Sequence, residues 1–143
     1  MKAFLIIPIC LFFSSLEWLN DFEVAKELAV RQHKSILLNF SGSDWCGPCI
    51  KMKKEVFESQ AFAELAEKKL VLVRADFPRS KKNQLSKEQQ RHNEALADEY
   101  NPSGKFPLTL LLDEKGKVIK AWDGYVFESQ DKVLTELKKS IPQ

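Results

Sequence analysis

Short continuous apolar runs alternate along this chain with segments whose apolar residues recur every three or four positions. Residues 35–40, 70–76 and 106–112 are apolar runs bounded by polar turn residues, and they predict buried strands. Residues 117–122 are the expected antiparallel partner of the last run across a hairpin turn at 113–116, and residues 16–19 suit a short edge strand. Between these runs the period changes to that of a helix. Phe22, Ala25, Leu28, Ala29 and Gln32 follow a helix start at Asn20 or Asp21, and His33-Lys34 closes that helix with positive charge. Cys49, Met52, Val56 and Phe57 share one face of a predicted helix from 46 to about 58. Ser59 can cap another, with Phe62, Leu65 and Ala66 turned inward. Residues 79–93 are strongly polar and predict a loop feeding a helix from about 86 to 100, with Ala95, Leu96 and Tyr100 on its apolar side and His92 in solvent. A last amphipathic helix, 129–139, places Val133, Leu134 and Leu137 in phase. The order strand, helix, strand, helix, helix, strand, helix, strand, strand, helix predicts an α/β fold, a mixed sheet with helices on both faces.

With 143 residues, 44% of them hydrophobic, the chain suits one compact domain with a proper core. Lysine and arginine number 22 against 20 acids, a net charge of +2 that makes no electrostatic case for nucleic-acid binding. Residues 1–15 stand apart from the rest. Lys2 precedes an unbroken apolar run, 3–13, and two serines. That run is shorter than the roughly 20 residues a membrane-spanning helix needs and fits the apolar stretch of a secretory signal. A cut after Ser15 would place Phe13 where a small residue is expected, so an uncleaved anchor stands beside cleavage, and a buried N-terminal strand is the remaining alternative. Cys10 lacks the small preceding residues of a lipid-attachment signal. The expected organisation is a signal peptide at 1–15 and a single exported domain at 16–143. Removing the leader takes one lysine and no acid, leaving a charge of +1.

The chemistry concentrates at Trp45-Cys46-Gly47-Pro48-Cys49, between a predicted strand and a predicted helix. Cys46 and Cys49 are the only cysteines outside the leader. Two cysteines so spaced can close into a disulfide, and a helix start lowers a thiol pKa by a unit or more from about 8.5. A redox-active pair, a structural disulfide and a zinc site all use this spacing. Zinc would need two further ligands, and only His33 and His92 remain, far apart in sequence, so no metal and no cofactor are expected.

The pentapeptide after a strand, together with Phe106-Pro107 opening another strand, resembles the thioredoxin family, and the likeness runs from about residue 16 to the end. More closely, the Gly42-Ser43-Asp44-Trp45-Cys46 wording and the polar insertion at 79–99 are similar to exported bacterial thioredoxin-like proteins. The resemblance implies a thioredoxin fold with that insertion before the cis-proline strand. It implies thiol–disulfide oxidoreductase activity, with Cys46 as nucleophile and Cys49, more buried, as the resolving thiol of a redox-active disulfide. Trp45 is expected to shield the disulfide, Gly47 to let a client backbone approach, and Pro48 to stiffen the helix start. A cis Phe106–Pro107 bond would present the Phe106 backbone to an extended client segment. Many members carry a buried acid in the strand before the motif as proton acceptor; here that position is Asn39, which leaves Asp44 or a water to substitute. Gly-Pro between the cysteines is the dipeptide of reducing members. The implied setting is the bacterial periplasm, free or tethered by the leader, with disulfide-containing client proteins, a membrane electron donor and a monomeric state. A disulfide oxidase or isomerase is the enzymatic alternative, and a non-enzymatic binding module using the Phe106 groove is the other.

Overall fold

The computed structural model describes residues 16–125 and 129–143. The predicted leader and Cys10 lie outside the described residues. Five strands and five α-helices follow in the expected order: β1 (Trp18–Leu19), α1 (Phe22–Gln32), β2 (Ser35–Ser41), α2 (Gly47–Met52), α3 (Gln60–Lys69), β3 (Leu70–Asp76), α4 (Lys87–Tyr100), β4 (Leu108–Leu112), β5 (Val118–Asp123) and α5 (Gln130–Ser140). The sheet order is β1-β3-β2-β4-β5. β2 runs parallel to β3 and antiparallel to β4, so it is the central strand, and all seven of its residues are buried.

Side chains alternate across that strand, which divides the core in two. Ile36, Leu38 and Phe40 join Val71, Val73, Leu108 and Leu110 beneath Phe22, Ala25 and Ala29 of α1 and Leu96 of α4. Leu37, Leu72 and Leu111 meet Met52, Val56, Phe57, Phe62, Ala66 and the inward residues of α5 on the other face. Asn39 points to this second side. β2 therefore delivers the cysteine loop from the middle of a sheet packed on both faces.

Several elements depart from the sequence expectation. The helix expected from 46 to about 58 is α-helical only to Met52; Lys53–Phe57 is a π-turn, with the Glu58 amide bonded to the Lys53 carbonyl at 3.0 Å. The wider turn lets consecutive apolar residues, Val56 and Phe57, both be buried. Gln32 is exposed at the end of α1. In α4 Asn93, 2% exposed, faces inward beside Leu96; it donates to the Asp76 carbonyl at 2.9 Å and accepts from Gln89 at 2.8 Å. Ala95, about 200° further round, is exposed. His92 does not face solvent freely: its Nε2 accepts the Phe22 amide at 3.3 Å. Asp21 accepts the next two amides of α1, those of Glu23 and Val24, so one side chain from α4 completes the cap of α1. His33 ends α1 in the left-handed region at φ 52°.

Candidate active site

β2 ends at Ser41, and residues 42–45 turn the chain into α2. Gly42 closes the turn by accepting the Cys46 amide at 2.9 Å and the Trp45 amide at 3.3 Å through its carbonyl. The side chains of Ser43, Asp44 and Trp45 are then tied to the end of β3 and the segment that follows it. The Ser43 amide and hydroxyl donate to Asp76 at 2.9 and 2.5 Å. Asp44 accepts from the Arg79 and Ser80 amides and the Asn83 side chain, all at 2.9 Å. Trp45 Nε1 donates to the Phe77 carbonyl at 2.7 Å.

Cys46 stands at the N-cap of α2, disulfide-bonded to Cys49 with Cα atoms 5.2 Å apart. The Cys49 amide donates to Cys46 Sγ at 3.2 Å. Pro48 sits in the first helical turn, where its missing N–H costs no intrahelical bond. Gly47 is exposed, and a Cβ built on it would meet nothing within 4 Å, so the approach over the disulfide is open there. The two cysteines are equally buried at 5% exposure, against the expectation that Cys49 would be the deeper, and Trp45, the neighbour of Cys46, belongs to an aromatic wall.

That wall is assembled from three segments. The Phe106 ring lies 5.4 Å from Trp45 and 5.5 Å from Phe77, both edge-on, and the Arg79 guanidinium stacks 3.8 Å over Trp45. Phe106–Pro107 is cis, with Pro107 buried and its carbonyl accepting the Gly124 amide at 2.8 Å. The predicted motif and the predicted proline turn are thus joined through Trp45 and Phe106.

Asn39 is 3% exposed and pairs in register with Thr109 on β4, donating to its hydroxyl at 3.1 Å. Thr109 in turn contacts the Met52 sulfur at 3.9 Å, one helical turn beyond Cys49. The polar group under the cysteine helix is therefore an uncharged amide–hydroxyl pair. Asp44 is a poor substitute base. The Arg79 amide first, then the Asn83 side chain, hold its carboxyl below the ordinary range, and its oxygens are spent on the loop. Because the folded value is lowered, this tie stabilises the loop above the ordinary carboxyl pKa and is lost as pH falls through the lowered one. Thr109 carries the site without any sequence signal of its own, since it matters through Asn39 and Met52, both distant in the chain. His33 ends α1 and His92 caps it, so neither accompanies the cysteines.

A thioredoxin-like family profile matches residues 17–113. The chain belongs to the thioredoxin-like family. It is 38% identical over 104 residues to the disulfide bond reductase DsbH of Chlamydia pneumoniae, a match covering 73% of this chain and 60% of that protein. It is 31% identical over 105 residues to the thioredoxin-related protein DsbJ of the same organism, covering 73% of this chain and 29% of the relative. The matched region is thus less than two thirds of either relative's length. The solved structure of a DsbH oxidoreductase superposes with a TM-score of 0.77 at 28% identity, covering 98% of this chain and 94% of that one. The thioredoxin-like fold with a redox-type cysteine pair is accordingly present here. No helix among the described residues is long and apolar enough to cross a membrane.

Proposed function

We propose that this protein is a thiol–disulfide oxidoreductase that reduces protein disulfides in the bacterial periplasm, reached through the leader at 1–15. The observation that carries this reading is the Cys46–Cys49 disulfide at a helix start, with the Phe106 ring of the cis Phe106–Pro107 turn packed on the adjacent Trp45. In the dithiol form, the Cys49 amide aimed at Cys46 Sγ favours a thiolate there. That thiolate attacks one sulfur of a client disulfide and expels the other as a thiolate, forming a mixed disulfide. Cys49 then loses its proton and attacks Cys46 Sγ, which closes the enzyme disulfide and releases the client's second thiolate. Two electrons pass from the protein dithiol to the client, and a donor dithiol must restore them. Since the periplasm is kept oxidising, a membrane-embedded donor is the chemical requirement. The Phe106 backbone offers an edge on which an extended client segment lies as an added strand. That the relative DsbH is a disulfide bond reductase supports the reductive direction.

Equilibration with glutathione tests the direction. A reduction potential below about −230 mV, with insulin-disulfide reduction, is expected; a value near the roughly −120 mV of a strong oxidase contradicts reduction and favours the oxidase reading.

Proton transfer from Cys49 is the least assisted step, because Asn39 cannot accept a proton. Asn39→Asp is expected to raise the rate of disulfide reduction at neutral pH by up to about 10²-fold, the low end of a positioned base's contribution. Burial would raise the new carboxyl's pKa, so the variant loses stability as pH rises from about 3.9 to that raised value. A variant with no gain in rate contradicts the assignment of Asn39.

A further inference from the structure

Arg79 is placed where it can choose among clients, and the case, which rests on the oxidoreductase reading, begins with how it is held. Asp44 and Trp45, the two residues before Cys46, fix the start of the polar insertion from both sides. Asp44 binds the backbone amides of Arg79 and Ser80 and the side chain of Asn83, while Trp45 binds the Phe77 carbonyl. These bonds involve only the backbone of Arg79. Its side chain is left to do something else, and its Cζ lies over the Trp45 ring, 3.8 Å from the centroid.

A guanidinium stacked by its face keeps its N–H edges directed outward, which suits two-point binding of a carboxylate. Among the described residues no carboxylate forms an ion pair with it. Arg79 also borders an open concave surface formed with Trp45, Phe77, Gly104 and Phe106. Lys105, in the turn beside that surface, is paired with Asp123 at 2.6 Å and so contributes little field of its own. Lys81 and Lys82 follow on the exposed short turn Lys81–Asn83 and add charge of the same sign as Arg79. With the whole chain at only +2, this is a local feature and not a global field.

We propose that Arg79 is a specificity-determining residue: it selects client disulfides flanked by an acidic side chain. Trp45 is the immediate neighbour of Cys46, and an extended client rises about 3.3 Å per residue. The favoured acid therefore lies about two to four residues from the reacting half-cystine. An aromatic or aliphatic residue between them would cover the Trp45–Phe106 edge.

The test uses the full chain in its reduced form, mixed in single turnover with two peptides. Each peptide carries one internal disulfide, and they differ only in having glutamate or lysine within four residues of a half-cystine. The wild type is expected to react with the glutamate peptide about tenfold faster at low ionic strength, a preference that shrinks in 1 M salt. Arg79→Gln should bring the ratio close to one and Arg79→Glu should invert it. Any loss of support for Trp45 in the variants slows both peptides and hydroxyethyl disulfide, small and uncharged, by a common factor, so the glutamate-to-lysine ratio isolates the charge. A ratio unchanged by Arg79→Glu overturns the proposal while leaving the oxidoreductase reading intact. A wild type inert toward both peptides and the small disulfide would overturn the oxidoreductase reading, and this inference with it.

Discussion

Cys46→Ser is expected to lower the rate of insulin-disulfide reduction by on the order of 10³-fold or more, as removal of a sole nucleophile does. The fold should survive the change. Cys46 occupies the N-cap of α2 and its sulfur accepts the Cys49 amide; a serine hydroxyl is a preferred acceptor at that position. Thermal melts of the variant and the wild type, both under reducing conditions, should therefore lie within a few degrees while activity is lost. The hydroxyl at 46 is a poor nucleophile at neutral pH because, unlike a thiol at a helix start, it stays almost wholly protonated there. Retained activity in a folded Cys46→Ser protein would contradict the role assigned to Cys46.

The second large effect is expected at a glycine with no chemistry of its own. A Cβ on Gly42 would run into the Trp45 indole, at ring carbons and near Nε1. The indole cannot give way cheaply, because Nε1 is bonded to the Phe77 carbonyl and the ring is held between Phe106 and Arg79. Overpacking of this kind costs about 1–3 kcal/mol, and the displaced hydrogen bond about 1 more. For a domain of this size the Tm of Gly42→Ala should fall by roughly 10 °C. The fluorescence of Trp45 should change with it, and activity should drop because the wall beside Cys46 moves. An unchanged Tm and spectrum would show that Trp45 is not wedged as described.

What was legible in the chain was whatever local pattern specifies. The strand runs, the cap at Ser59, the helix starts near 86 and 129, the hairpin and the cysteine motif each depend on neighbours within a turn or two, and each appears where the pattern puts it. The cis Phe106–Pro107 bond came from resemblance and is present. What escaped depends on partners far along the chain. His92 reads as one polar residue among many in α4, yet it caps a helix 70 residues away. Asn93 reads the same and is buried, because the Asp76 carbonyl at the end of β3 needs a donor. Asp44 was considered as a base, but three donors from residues 79–83 occupy it. The polar insertion begins as part of the site wall for that reason, although its composition reads as a solvated loop and helix, with a partner-binding surface as the alternative.

The central claim is that Cys46 attacks and Cys49 resolves, and trapping tests it most directly. Reduced Cys49→Ser protein, incubated with a disulfide-containing protein such as insulin and analysed by non-reducing electrophoresis and peptide mass spectrometry, should accumulate a covalent adduct. The adduct should be joined through Cys46 and released by dithiothreitol. Absence of any adduct, while reduced wild-type protein is oxidised by the same client, would contradict the account.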